Sequence, residues 1–405
     1  MVPSGAMLPP VCVVVPTYWT RRGGETRSGD AIYDHPTVLD GPDTLSTLLE
    51  SLQGAAGSFY LLVLVAVSGE DVAEPALGFV RELVGRYHEL PSLVFGSPQL
   101  EALLTTLDGE GHSRATEYLK LRDYPTVRNL QLAVPLLLGS SAIVALDDDE
   151  IVTDPGFVEK ATEPLGTAID GKRVDGLSGY YLQEDGGIML QLDPAKSRSV
   201  NIFDRKAAIM NQQTEAVEAA PGETVETPFC FGGNMEFSAE LAATVGFDPG
   251  ITRGEDIDYL INARLDGKSF FLRKDLRILH CPPHGGSYKD SSISKLTQDV
   301  VRFAYERWKV RASQQTPGLR PVTVDQLGQY PGRFLHDDLE EAAIDALQSA
   351  GYRGDAAEFV RTAVAEAPER FGRYLEFRDA WPRIQQTLQG SSALRNQFLR
   401  LVHGI

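Results

Sequence analysis

The first apolar run of the chain, Val11 to Val15, is short, unbroken and mostly β-branched, and it stops at Pro16-Thr17-Tyr18. A run without polar alternation is the pattern of a strand covered on both faces. Tyr60 to Val67 and Ala142 to Leu146 repeat it, one ending at Ser68-Gly69-Glu70 and the other at Asp147-Asp148-Asp149-Glu150. Between these runs the apolar period changes. Leu45, Leu48, Leu49 and Leu52 share one face of a helix predicted over 44–52, and a second helix is predicted over about 75–87. A third, over 126–138, carries Leu130, Ala133, Leu136 and Leu137 on its apolar side, with Pro135 inside it. Buried strands alternating with amphipathic helices over the first 150 residues predict an open α/β sheet, mostly parallel. Ligands of such sheets bind beyond the carboxyl ends of the strands.

The later chain changes character. Residues 172–210 read as strand-like, with an alternating patch at 187–192, and 211–227 reads as a loop rich in Glu, Thr and Pro. After Ser291, helical periodicity covers 293–313, 336–349, 356–365 and most of 370–403. The polar, Gly-rich stretch 19–43 is long enough for a lid or an acceptor loop.

Composition narrows the function classes. The chain has 405 residues, 42% of them hydrophobic, which suffices for one or two domains. Its 38 basic and 56 acidic side chains leave a net charge of -18, which repels phosphate backbones and argues against a nucleic-acid partner. Cys12, Cys230 and Cys281 form neither a zinc knuckle nor a disulfide framework, so a reducing cytoplasm fits. The N-terminus lacks the basic segment of a signal peptide. No apolar stretch approaches the roughly 20 residues of a membrane span, so no transmembrane segment is expected.

The triple Asp carries the sharpest chemistry. Three adjacent carboxylates repel one another unless a cation or several donors compensate them. Hard cations such as Mg2+ and Mn2+ take oxygen ligands and share them with phosphate. The alternative is an acidic turn before a helix opening at Asp154-Pro155.

Together the motifs resemble the nucleotide-sugar glycosyltransferases of GT-A type, in particular family-two-like members. The resemblance rests on Pro16-Thr17-Tyr18, Arg128-Asn129, Asp147-Asp148-Asp149, Gly232-Gly233-Asn234-Met235, Gly246-Phe247-Asp248 and Gly254-Glu255-Asp256, in that order over about 11–285. It implies a Rossmann-like α/β fold, an open mixed sheet flanked by helices, with an added C-terminal helical region. Residues 1–290 would be the catalytic domain, with nucleotide-sugar binding over about 1–165, the acceptor side over 166–290, and the helical region over 291–405. The donor would be a UDP- or GDP-hexose, the acceptor a hydroxyl and the cofactor Mn2+ or Mg2+.

The resemblance also implies roles. Asp149 would bind the metal, with Asp147 sharing it or holding the ribose, and Asp148 beside them at the donor. Pro16, Thr17, Tyr18, Arg128 and Gly233 would line the donor site. Glu70 stands where the family usually has a base-reading Asp, a departure that leaves its role open. Glu255 would position the acceptor and Asp256 would be the base of an inverting transfer; a helix N-terminus also favours acidic residues at these positions. His280, or else His284, would complete the metal shell. Readings left open are a retaining transferase making a small glycosylglycerate-like glycoside, a sugar nucleotidyltransferase and a non-catalytic glycan-binding protein. The C-terminal helices could serve a homo-oligomer or the acceptor, and the sequence does not choose.

Overall fold

The structure, a computed structural model, describes residues 8–403 apart from Ile32, Glu184 and 283–290. Its strands are β1 (Val11–Thr20), β2 (Thr37–Val38), β3 (Phe59–Val67), β4 (Ser92–Phe95), β5 (Ala142–Leu146) and β6 (Glu150–Ile151). A small hairpin, β7 (Ala168–Ile169) and β8 (Lys172–Arg173), precedes β9 (Gly176–Leu182), β10 (Thr224–Glu226), β11 (Asn234–Ser238) and β12 (Phe270–His280). Ten of these form one sheet whose main path runs β10-β12-β9-β11-β5-β1-β3-β4. The half from β5 to β4 is parallel, β11 runs against both β5 and β9, and the sheet is therefore mixed.

The two apolar faces follow from the period of two. Val13 and Val15 of β1 look to a core shared with the helices Leu45–Leu52 and Glu70–Val84, whereas Cys12 and Val14 look to one shared with Tyr124–Leu138 and the C-terminal helices. The sheet grows away from β1 in both directions, to β3 on one side and β5 on the other. That divergence opens a crevice beyond their carboxyl ends. The expected α/β class, an open mixed sheet flanked by helices with an added helical region, is the architecture observed. No helix among the described residues is long and apolar enough to cross a membrane.

Several local expectations change. Pro16-Thr17-Tyr18 does not end β1, which continues to Thr20 in register with β3. The expected loop 211–227 is largely the helix Lys206–Ala219, and the alternating patch 187–192 forms no strand. The patch 187–192 stays partly exposed, with Leu192 41% exposed, whereas the helix packs by tertiary contacts such as Gln213 to Gln329 N at 2.8 Å, which no local pattern encodes. Residues 356–390 form one helix of 35 residues with Pro368 and Pro382 inside it.

One buried cation docks the helix Ser291–Ser313 on the sheet side of the molecule. Lys309 is wholly buried, with Nζ 2.7 Å from Asp258 Oδ1, 2.9 Å from Asp248 Oδ2 and 2.9 Å from Asn262 Oδ1. The Tyr374 ring lies 4.2 Å from the same ammonium. Asp248 also accepts from Tyr305 Oη at 2.6 Å, so the Gly246-Phe247-Asp248 turn anchors the C-terminal helices. Removing one partner of such a pair leaves charges buried without compensation. Lys309→Met is expected to lower unfolding free energy by about 3–5 kcal/mol in urea denaturation. The exposed pair Arg361–Glu358 is the control, and Arg361→Ala should leave the urea midpoint unchanged.

Candidate active site

Arg128 is buried in the helix Tyr124–Leu138, which begins under the side-chain cap of Asp123. Its neighbour Asn129 is structural: it donates to Phe247 O at 2.9 Å and accepts from Phe247 N at 2.8 Å. That pairing turns the helix so that Arg128 faces the crevice. There its Nη1 lies 2.9 Å from Asp147 Oδ1 and its Nε 3.4 Å from Glu255 Oε1. One guanidinium thus joins the end of β5 to the start of the helix Glu255–Leu265.

The three aspartates divide. Asp147 stays on Arg128 with its side chain 25% exposed. Asp148 turns inward beside Thr17, and burial, then the adjacent Asp149 charge, raises its pKa well above the carboxylate range. Asp149 faces His280, with Oδ2 3.5 Å from Nε2. The backbone makes this meeting: β6 pairs with the end of β12, His280 opposite Glu150, and Cys281 N donates to Asp149 O at 2.7 Å. Burial would lower the His280 pKa, but Asp149 outweighs it and raises it. The ring stacks on Tyr181 at 4.7 Å. His284 lies outside the described residues.

Gly232 and Gly233 let backbone close on this cluster. A Cβ on Gly233 would meet Glu150 Oε1 at 2.2 Å and Asp147 Cγ at 2.8 Å; one on Gly232 would meet Asp256 Oδ2 at 3.2 Å. Gly233 N donates to the Tyr181 hydroxyl at 2.5 Å, which fixes that ring beneath His280. Gly254 caps the next helix at φ 71°, a left-handed conformation, and presents Glu255 and Asp256 in its first turn. Asp256 is half-buried and its Oδ1 accepts from Ile257 N at 2.9 Å.

Arg128, Asp147, Asp148, Asp149, Glu255, Asp256, Tyr18 and His280 line one cleft of about 990 Å³. Thr17 lies just beneath it, wholly buried, accepting from Trp19 Nε1 at 2.9 Å. Pro16 sits inside β1, below the cleft. Glu70 is not brought in: it is exposed in the first turn of Glu70–Val84, a start held by the Asp71–Arg21 pair at 2.6 Å. Sequence reasoning missed Asp34, His35, Tyr124, Tyr181, Lys206, Arg253, Lys295 and Arg302, all on the cleft wall. Arg253, directly before Gly254-Glu255, could have been singled out by position; the others carry no local signal.

No protein-family model matches the chain, and no curated protein matches its sequence. Among solved structures it is similar to the mannosyltransferase PcManGT from Pyrobaculum calidifontis in complex with GDP-Man and Mn2+. The identity is 15% over 94% of this chain and 85% of that one, with a TM-score of 0.44. It is also similar to glucosyl-3-phosphoglycerate synthase from Mycobacterium tuberculosis in complex with Mn2+, UDP and phosphoglyceric acid. There the identity is 13% over 74% of this chain and 79% of that one, with a TM-score of 0.38. Likeness of this degree carries no argument about activity, which rests on the site itself.

Burial, then the neighbouring Asp256, pushes Glu255 up to about 7 against the pull of Arg128. Below the pKa of a free glutamate both the folded and unfolded chains hold this proton. As the pH rises towards 7 the unfolded chain releases it first, so folding stability falls. Stability is expected to drop between pH about 4.5 and 7. In urea denaturation at several pH values, Glu255→Gln should flatten that slope.

Proposed function

We propose that the chain is a metal-dependent glycosyltransferase that moves a hexose from a UDP- or GDP-sugar to a hydroxyl, with inversion. The observation that carries the reading is the Arg128 bridge. It holds a donor-side carboxylate, Asp147, and the acceptor-side pair Glu255-Asp256 against one cleft.

The residues fit a divalent ion of open coordination. Asp149 and His280 offer a hard oxygen and an imidazole nitrogen on one wall. Among the described residues no three His, Cys, Asp or Glu side chains are grouped to enclose a metal. An ion completing its shell with phosphate oxygens and water needs only one or two protein ligands. Bound Mn2+ or Mg2+ would supply Lewis-acid neutralisation of the departing diphosphate.

The chain's own groups do the rest. Tyr18 and Arg128 border the donor, and Arg128 keeps Asp147 oriented. Asp256 accepts the proton of the attacking hydroxyl as its oxygen bonds to the anomeric carbon and the bond from that carbon to the diphosphate oxygen breaks. Glu255, fixed by Arg128, orients the acceptor. The nucleotidyltransferase alternative is not favoured, because the Arg21 guanidinium that would meet phosphate is taken up by Asp30 and Asp71.

Calorimetry with UDP and GDP, with and without Mn2+, tests the donor reading. Tighter binding of one nucleotide with Mn2+, lost in Asp149→Ala, is the expected result; no metal-linked binding refutes it. Asp256→Asn should keep nucleotide binding and lower kcat by about 10²–10⁴-fold. A product that keeps the donor's anomeric configuration by NMR would remove the base role of Asp256.

A further inference from the structure

One wall of the cleft has no part in the chemistry just described. Its cations come from segments far apart in sequence: Lys206 opens the helix Lys206–Ala219, Arg253 precedes Gly254, and Arg302 comes from the C-terminal helix Ser291–Ser313. Lys206 Nζ is 2.6 Å from Asp299 Oδ2, and Asp299 Oδ1 is 3.3 Å from Arg302 Nη2. Arg253 Nη1 is 2.8 Å from Asp34 Oδ2, and Lys295 Nζ is 3.0 Å from the other oxygen of that carboxylate. Asp34 and Asp299 are thus each shared by two cations, and Arg302 Nε also lies 3.8 Å from Glu306 Oε1.

Arg302 is the most enclosed of them, with its side chain 3% exposed. It packs across Gly254, where a Cβ would meet its Nη1 at 1.7 Å, and it donates to the Tyr330 hydroxyl at 2.8 Å. Its neighbour Glu306 has a pKa pushed up to about 8 by burial, against the pull of Arg302. The start of the Lys206–Ala219 helix adds to the same field: Arg205 provides no side-chain cap, and Ala207 lines the cleft. In a chain of net charge -18, such a gathering of cations in one cleft is not a by-product of composition. Holding cations together out of bulk water costs free energy that an incoming anion returns.

We infer that this wall binds an anionic group, a carboxylate or phosphate, carried by the acceptor. The inference deepens the glycosyl-transfer reading and rests on it. The acceptor is favoured over the donor because Arg253 and Arg302 bracket Gly254, the residue before Glu255-Asp256. The donor-side residues Tyr18 and Asp147 come instead from β1 and the end of β5.

The test is calorimetric titration of inorganic phosphate into the full chain already saturated with Mn2+ and whichever of UDP or GDP it binds. Phosphate should bind beside the nucleotide. Lys206→Ala should weaken phosphate by about tenfold or more, as expected for loss of one charged hydrogen bond, with nucleotide affinity unchanged and Lys206→Arg retaining the site. Phosphate that displaces the nucleotide assigns these cations to the donor's diphosphate and overturns the inference. So does the absence of phosphate binding beside bound nucleotide, or a Lys206→Ala protein that binds phosphate as the wild type does. The wild-type titration alone decides the point if the variants fail to fold. A protein that binds neither nucleotide overturns the glycosyl-transfer reading, and this inference with it.

Discussion

The buried Arg128 guanidinium is the constraint on which the site depends. It is 5% exposed and sits between Asp147 and Glu255, two carboxylates that would repel each other across the cleft without it. A guanidinium suits this place because it is planar, always charged and able to serve several acceptors in fixed directions. Its third acceptor is Gln131 on its own helix, with Nη1 3.2 Å from Oε1. The glycine pair at 232–233 follows from the same crowding, since the chain must pass within contact of Arg128, Asp147 and Asp256 at once.

A second buried cation completes the frame. Arg128 holds the first turn of the helix Glu255–Leu265 through Glu255, and Lys309 holds it one turn later through Asp258. One cation comes from the helix beside the parallel strands and the other from the C-terminal helices. The acidic residues of this helix therefore do separate tasks. Glu255 and Asp256 face the cleft, while Asp258 is a wholly buried counter-ion. The C-terminal helices are also more than a cover, because Lys295, Asp299 and Arg302 place them on the cleft wall.

The cleft is electrically divided. Asp147, Asp149 and Asp256 crowd one part, whereas another gathers Lys206, Arg253, Lys295 and Arg302 around Asp34 and Asp299. Such a division suits a reaction that brings a cation with a diphosphate to one wall and a further anion to the other. It also keeps a strongly acidic protein from repelling anionic ligands at the place where they would bind.

The sequence by itself determined the parallel core, because unbroken β-branched runs such as Val11 to Val15 can be covered only on both faces. It also marked the strand-end triple Asp and the Gly254-Glu255-Asp256 helix start, whose chemistry is local and whose spacing is rigid. It did not reveal that Asp148 is buried, nor that Asp149 reaches His280 through the pairing of β6 with the end of β12 more than a hundred residues away, although the family resemblance had already set those two residues at one metal. Nor did it distinguish Asn129 as a structural staple from Arg128 as a cleft residue, or make Glu70 an exposed helix start. The basic wall was illegible for the same reason. Its cations lie scattered between residues 206 and 302, in segments whose individual patterns are unremarkable, and only the packing of the C-terminal helices brings them together. Periodicity reports which face of one element is buried, whereas the meeting of charges from several elements is decided by tertiary contacts that no local pattern records.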